Sequence, residues 1–277
     1  MMTKSMIICI YALLFFLCWN CGQQSEQTLS NTNITTAAAP TTPKILGGTA
    51  VPADQWKSVV ALTDKLSGRY FCSGVLIDKE RLLTAAHCLK GRNVIDNVTV
   101  YLGEGVEGGE FVGEHTIKSY TIHPKMDIAL ATLSAPIDVD CNFDREFIPM
   151  ATPALIKVGA KIKFIGFGQR RVLGYAEYDE GQIIPKGVKY EVNSSISSIV
   201  TDAETKAMST ITWNQAYETY YGHFSGDSGG PVLIFDPQKK QWFLVAIISG
   251  GRSNAYNSGT DVLIFPHLRN LEFNCGQ

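Results

Sequence analysis

The six residues Gly226–Pro231 read Gly-Asp-Ser-Gly-Gly-Pro and carry the residue types that acyl transfer requires. Glycines permit tight or positive-φ turns and close approach of a substrate. Such a turn can present one hydroxyl while main-chain N–H groups point at the same place. A hydroxyl that attacks and donors that hold the developing oxyanion are the needs of nucleophilic acyl transfer. Ser228 is therefore the candidate nucleophile, and a glycine-rich β-turn without chemistry is the alternative for an isolated match.

A serine hydroxyl is a weak nucleophile, so the chain must also supply a base and a group that orients it. Among five histidines, only His87 ends a strand of small residues, next to a cysteine that could pair with Cys72. Asp127 stands at the head of the apolar segment 128–130. A carboxylate that enters a core needs donors, and a histidine N–H is one. The alternatives are a structural histidine and an exposed aspartate that caps a strand.

Composition narrows the class of protein. The 277 residues are 45% hydrophobic and 18% charged, with 24 basic and 26 acidic residues and a net charge of −2. This balance fits a globular domain with a substantial core and does not favour nucleic-acid binding. No cofactor or metal is implied, and the acidic residues Glu104, Glu107 and Glu110 are interpreted as a solvated loop.

Residues 1–21 have the pattern of a secretion signal, with Lys4 ahead of an apolar run from Met6 to Trp19. The run is short of the roughly 20 residues that span a bilayer. A membrane anchor and a bacterial lipoprotein signal with a lipid anchor at Cys21 remain alternatives. We therefore expect a secreted, extracellular or periplasmic protein, or a lipoprotein held at a membrane.

Seven cysteines are present, three of them in the leader, which leaves Cys72, Cys88, Cys141 and Cys275. An even number behind a secretion signal favours disulfides over a zinc site. We expect Cys72 to pair with Cys88, and Cys141 with Cys275, although four cysteines allow three pairings.

Residues 22–44 are rich in polar residues, alanine and proline, and predict a flexible pro-segment or linker. Ordered sequence starts after Lys44, and a basic residue in an exposed linker is a natural cleavage point. Cleavage there would give a new terminus at the apolar residue Ile45. The simpler interpretation of Ile45 is the first residue of a strand.

From residue 45 the sequence predicts short strands separated by turns, in two sets divided by a connector with prolines. The predicted strands are Ser58–Thr63, Tyr70–Ile77, Arg81–Ala85, Asn97–Leu102, His115–Ile122, Ile128–Leu133, Lys161–Phe167, Val188–Ser194, Pro231–Phe235, Phe243–Ser249 and Asp261–Ile264. Two β-units follow from this pattern, with a short helix over Pro266–Phe273.

Taken together, these motifs resemble the chymotrypsin-like (trypsin-like) serine peptidases over most of the chain after Ile45. The resemblance rests on Ile-Leu-Gly-Gly at 45–48, Leu83–Cys88, Asp127–Leu130, Gly226–Pro231 and Ser-Gly-Gly at 249–251. The order histidine, aspartate, serine also agrees, whereas an α/β-hydrolase would place its histidine after the serine.

The resemblance implies an all-β fold of two six-stranded antiparallel Greek-key barrels with the active site between them. The domain would cover 45–277, with a first barrel at about 45–145 and a second at about 155–265. It also implies a secreted serine endopeptidase that works through a triad of Ser228, His87 and Asp127 and an acyl-enzyme. Main-chain N–H groups of Gly226 and Ser228 would form the oxyanion hole.

Activation is implied in the same way. In the family, cleavage frees an apolar amino terminus that pairs with the aspartate before the serine. The partners here would be Ile45 and Asp227 after an activating protease cuts behind Lys44. The protein would therefore be made as a zymogen, and its other partners would be protein or peptide substrates. We expect a monomer.

The chain departs from the family around the substrate pocket, which Gly222, Ser249, Gly250 and Gly251 would line. The aspartate that gives trypsin-type members their Lys/Arg preference is replaced by Gly222, and the usual cysteine two residues later is Phe224. Gly250 replaces a tryptophan. We expect an apolar or medium-sized residue before the cleaved bond rather than Lys or Arg, and an acidic floor at Asp261 is left open.

Two other functions are alternatives. One is an inactive homologue used as a binding module, against which the three intact triad residues argue. The other is a surface-anchored lipoprotein whose main role is interaction with other proteins.

Overall fold

A computed structural model describes residues 48–106, 111–137, 147–168, 188–204, 208–214, 222–223, 225–251 and 258–263. The chain divides into two units, Met1–Pro40 and Thr41–Gln277, and all of the described residues lie in the second. Within them, no helix has the length and apolar character to cross a membrane.

Thirteen strands and two four-residue helices make up the described part of the fold. The strands are β1 (Thr49–Ala50), β2 (Val59–Asp64), β3 (Tyr70–Leu76), β4 (Arg81–Thr84), β5 (Val98–Gly103), β6 (Phe111–Ile122), β7 (Ala129–Leu133), β8 (Lys161–Gly166), β9 (Tyr190–Thr201), β10 (Met208–Asn214), β11 (Pro231–Asp236), β12 (Gln241–Gly251) and β13 (Ser258–Leu263). The helices are α1 (Ala86–Leu89) and α2 (Val94–Asn97), and a single 3-10 turn covers Pro153–Leu155.

The first six long strands close into a barrel in the order β2-β3-β4-β7-β6-β5, with β5 paired back to β2. All pairings are antiparallel. Because the fourth strand of the set lies beside the first, this order is that of a Greek key. The long connection between β4 and β5 brings β5 beside β2.

The second sheet repeats the same topology. Its strands run β9-β10-β13-β12-β11-β8, and pairing of β8 with β9 closes the ring. The short strand β1 adds to the outside of this ring through Thr49↔Glu191 and Ala50↔Tyr190. The predicted all-β fold with two six-stranded units is thus confirmed. The predicted C-terminal helix at 266–273 lies outside the described residues.

Each strand predicted from the sequence overlaps an observed strand, and two strands were missed. The strand β1 has only two residues and shows no alternation. The strand β10 has a composition that suits a strand, but it lies between polar segments and is not among the predicted strands. The strand β9 continues to Thr201, well beyond the predicted end at Ser194, because β10 pairs with its second half.

Three strands of the second barrel are buried on both faces. Phe164, Val232 and Val245 point into the core of the second barrel, whereas their neighbours pack in the core of the first. These neighbours are Ile165, Leu233 and Leu244. Successive side chains of a strand point to opposite faces, so β8, β11 and β12 form the contact between the barrels. Their continuous apolar sequences follow from this double burial.

The Cys72–Cys88 disulfide links β3 to α1 across 16 residues of sequence, as predicted. Both cysteines are buried. Cys141 and Cys275 lie outside the described residues, so their pairing stays a prediction.

We expect the double substitution Cys72→Ala/Cys88→Ala to lower the free energy of unfolding by about 3 kcal/mol, because a closed loop of this size restricts the unfolded chain. Chemical denaturation of the purified protein measures the difference. Cys141→Ala/Cys275→Ala, which leaves the 72–88 loop closed, is measured beside it to separate the effect of the second predicted disulfide. A Cys72→Ala/Cys88→Ala protein as stable as its parent would contradict the prediction.

Candidate active site

The base and its orienting carboxylate come from two neighbouring strand ends of the first barrel. β4 ends at Thr84, and α1 begins two residues later and carries His87. Asp127 lies just before β7, whose first residue, Ala129, is paired with Thr84. The cross-strand pairing of β4 with β7 therefore fixes the separation of His87 and Asp127.

Three hydrogen bonds hold the carboxylate of Asp127. The main-chain N–H of His87 donates to Asp127 Oδ1 at 2.8 Å, and His87 Nδ1 lies 2.7 Å from Asp127 Oδ2. The hydroxyl of Ser249, on β12 of the other barrel, donates to the same Oδ2 at 2.7 Å. With Nδ1 facing the carboxylate, Nε2 of His87 is the ring nitrogen left to accept a proton.

Burial alone would raise the pKa of Asp127, but the hydrogen bonds from His87 and Ser249 outweigh it and lower the pKa below its usual value. Asp127 is therefore ionised at neutral pH. An ionised partner at Nδ1 stabilises the imidazolium that forms when Nε2 takes a proton.

The turn with Ser228 is held by both barrels at once. The carbonyl oxygen of Ser228 accepts from Ser73 N on β3 at 2.8 Å, and Gly229 N donates to Ile248 O on β12 at 2.7 Å. The sulfur of Cys88, next to His87, lies 3.6 Å from the same Ser228 carbonyl. Since Cys88 is oxidised in a disulfide, this is a packing contact rather than a hydrogen bond. The main chain of Ser228 therefore lies against Cys88, the residue that follows His87.

Gly229 has φ +85°, a backbone conformation that residues with a side chain rarely adopt. A Cβ at this position would also lie 2.9 Å from the Ala85 main-chain nitrogen. The turn needs glycine here because its backbone passes directly against the end of β4.

Ser73 braces the expected oxyanion hole, and sequence reasoning missed it. Its hydroxyl donates to Gly226 O at 2.9 Å and accepts from Phe167 N at 3.0 Å. Gly226 has φ +95°. A serine next to a disulfide cysteine gives no signal in the sequence, because its partners are 94 and 153 residues away.

Asp227 is fully buried in a socket made by the Gly-Phe-Gly segment 166–168. Gly168 N donates to Asp227 Oδ1 at 2.7 Å. A Cβ on Gly166 or Gly168 would overlap this carboxylate. Lys44 and Ile45, the other predicted activation residues, lie outside the described residues.

The expected substrate-binding residues lie along β12 and before the nucleophile turn. Gly222 packs against the ring of Trp213, and Gly250 has open space where a side chain would point. Gly251 is paired with Gly259 of β13. Phe224 lies outside the described residues. The absence of a side chain at Gly250 leaves the space beside β12 open at that residue.

Cys72, His87 and Cys88 also offer three ligand atoms within 4.8 Å of one another. The two cysteines are joined in the disulfide and have no thiolate to give. This group therefore does not fit a metal ion.

We expect Ser249→Ala to raise the pKa of Asp127 and to lower the stability at neutral pH by about 1 kcal/mol, because one donor to a partly exposed ion is lost. The carboxyl with a lowered pKa stabilises the fold above its unfolded value of 3.8, and this stability is lost as the pH falls through the folded pKa. The difference between Ser249→Ala and its parent should therefore shrink below about pH 4. Carbon NMR of the carboxyl and denaturation at several pH values measure both effects, and an unchanged titration contradicts the assignment.

Known proteins share sequence similarity with this chain over much of its length. Residues 45–265 match the family model described as Trypsin. A trypsin from Phaedon cochleariae is 32% identical over 199 residues, which cover 67% of this chain and 70% of the relative. The snake venom serine protease serpentokallikrein-1 from Protobothrops mucrosquamatus is 32% identical over 142 residues, or 47% of this chain and 51% of the relative. The resemblance drawn from the sequence motifs is confirmed, and the chain belongs to the trypsin family of serine endopeptidases.

Proposed function

We propose that the chain hydrolyses peptide bonds through Ser228, His87 and Asp127, with Gly226 and Ser228 as oxyanion donors. The observation that carries the proposal is the bonding of His87 to Asp127 through both its main chain and its ring. The neighbouring Cys88 contacts the carbonyl oxygen of Ser228, which supports the same assignment. This arrangement supplies a nucleophile, a base and an orienting group at once.

In this mechanism, Ser228 Oγ attacks the substrate carbonyl while His87 Nε2 takes its proton. Asp127 holds the imidazolium through Nδ1, and the developing oxyanion lies against the N–H groups of Gly226 and Ser228. His87 then gives the proton to the leaving amine, which departs and leaves an acyl-enzyme. Water then attacks the acyl carbon while His87 Nε2 takes one of its protons. The bond between the acyl carbon and Ser228 Oγ breaks, Oγ recovers the proton from His87, and the acid is released. No cofactor takes part.

We expect Ser228→Ala to lower peptide hydrolysis by a factor of roughly 10⁴ or more, because the acyl-enzyme can no longer form. The purified, activated protein is assayed with a mixed peptide library and labelled with a fluorophosphonate probe. Parent protein should be labelled on Ser228 and Ser228→Ala should not. The control Ser134→Ala replaces an exposed serine on the surface of the first barrel and should label like the parent. Absence of labelling in the parent would favour the binding-module alternative.

Activation by cleavage after Lys44 belongs to the same proposal. An ammonium group at Ile45 would enter the buried socket of Asp227, where it would be the counter-charge to a carboxylate removed from water. Asp227 is part of the turn with Ser228, so the pairing would set the positions of the oxyanion donors. Before cleavage, Ile45 has an uncharged peptide nitrogen and this ion pair is missing. An activating protease is thus the expected partner.

We expect Lys44→Gln to block activation by a protease specific for basic residues, because the peptide bond before Ile45 then lacks its recognition side chain. N-terminal sequencing of the active protein should begin at Ile45. The control Lys57→Gln leaves the predicted cleavage site intact and should activate normally. Full activity of a chain that still begins at residue 22 would contradict the zymogen proposal.

The leader 1–21 supports secretion as the route by which the enzyme meets its substrates. Mass spectrometry of the mature amino terminus distinguishes a free chain from one with a lipid at Cys21. Replacement of the acidic floor by Gly222 supports a preference other than Lys or Arg for the residue before the cleaved bond.

A further inference from the structure

A second histidine–carboxylate pair lies in the core of the second barrel. His223 directly follows Gly222, and its Nε2 is 3.2 Å from Asp261 Oδ1. The His223 side chain is 4% exposed and that of Asp261 is fully buried. The imidazole packs edge-on against Phe164 and Trp213, with ring centroids 5.3 Å and 5.1 Å away. The mechanism proposed above uses neither residue.

This pair is joined to the active site through Ser249. Asp261 Oδ1 accepts a hydrogen bond from Ser249 N at 3.3 Å, and the hydroxyl of the same serine donates to Asp127. The pair therefore lies directly behind the strand that is expected to form one wall of the substrate pocket. On the opposite side, His223 is five residues from Ser228 in the sequence.

The two carboxylates differ in their hydrogen bonding. Asp127 has three hydrogen bonds and is partly exposed. Asp261 has the single bond from Ser249, and Oδ2 has no hydrogen-bond partner within the described residues. His223 Nε2 is close enough to Asp261 Oδ1 for an ion pair, but the angles do not suit a hydrogen bond. Nε2 therefore has no hydrogen-bond partner among the described residues. A net negative charge on this second pair would therefore be poorly compensated.

The pair must be close to neutral overall, and this decides what His223 can offer a ligand. One neutral form is an imidazolium with a carboxylate. The other is a carboxylic acid whose proton points at Nε2 of an uncharged imidazole. In both forms Nδ1 carries a hydrogen. Nε2 is buried against Asp261, so Nδ1 is the other ring nitrogen, and the residue as a whole is 8% accessible.

We propose that His223, held in place by Asp261, determines primary specificity by presenting an N–H donor to the substrate side chain before the cleaved bond. The group that fits is an oxygen acceptor at the end of a medium-length side chain, which means the carboxylate of Glu or the carboxamide of Gln. This proposal rests on the proposed peptidase function and names its substrate class.

The same charges disfavour the other side-chain classes. A Lys or Arg side chain would meet a donor instead of an acceptor, because Asp261 lies behind His223 and is already engaged by it. An apolar side chain would cover the N–H of His223 without replacing its bond to water, which is costly for a polar group.

The test is a cleavage profile of the activated full chain on matched peptides that differ only in the residue before the cleaved bond. Gln, Glu, Met, Leu, Lys and Arg are compared, with Met as the apolar match in length to Gln. We expect kcat/KM for Gln or Glu to exceed that for Met by about tenfold or more, since a missing acceptor leaves a buried donor unpaired. Either order of Glu and Gln agrees with the proposal, because both side chains end in an oxygen acceptor.

His223→Leu should remove the preference for Gln and Glu over Met, whereas His223→Gln, which keeps an N–H donor, should retain part of it. His115→Leu, a change on β6 of the first barrel, is the matched control and should keep the parent profile. Labelling of Ser228 by a fluorophosphonate without a primary side chain is measured on every variant. It reports the catalytic apparatus separately, so a failure of the peptidase function is distinguishable from a failure of this proposal.

A parent enzyme that is labelled but prefers Lys, Arg, Met or Leu overturns the proposal without any variant. A preference for Gln or Glu that persists unchanged in a labelled His223→Leu protein also overturns it. If His223→Leu does not fold, the parent profile and the His223→Gln variant still decide the question.

Discussion

Two main-chain hydrogen bonds around Ser228 are the constraint on which the site depends. Ser73 of β3 donates to the Ser228 carbonyl, and Gly229 donates to Ile248 of β12. One bond comes from each barrel, so the turn is positioned only when both barrels are formed and in contact. Strands β8, β11 and β12, which are buried on both faces, maintain that contact. The apolar burial between the barrels therefore determines where the nucleophile lies.

Ser249 links the two histidine–carboxylate pairs. Its hydroxyl donates to Asp127, and its main-chain N–H donates to Asp261. The two pairs share the same residue types but differ in their exposure to solvent and in their hydrogen bonding. Asp127 has enough donors to stay ionised, which suits a carboxylate that orients a base. Among the described residues, Asp261 accepts one hydrogen bond, from Ser249, and lies 3.2 Å from His223 Nε2, which suits a carboxyl that holds a histidine for recognition.

Much of the candidate site could be predicted from short motifs. His87, Asp127 and Ser228 are each ambiguous alone, and the joint resemblance of their local sequences to one family assigned them. The strands around them follow from apolar residues bounded by turns. Ser73 and His223 could not be assigned in this way. Their roles depend on partners far away in the sequence, and no local pattern marks which serine or which of five histidines will meet those partners.

The sequence by itself determined the fold class, the disulfide between Cys72 and Cys88, and the order of the chemical groups along the chain. These properties depend on composition, alternation and spacing, which are local. Only the tertiary structure decided which buried groups share a proton or a hydrogen bond. The pairing of Asp261 with His223 arises because the strand β13 lies beside β12 and β10 in the closed second barrel. That pairing turned Asp261 from a candidate acidic floor into the partner of a histidine, because a carboxylate buried among apolar strands must find a counter-charge or a proton.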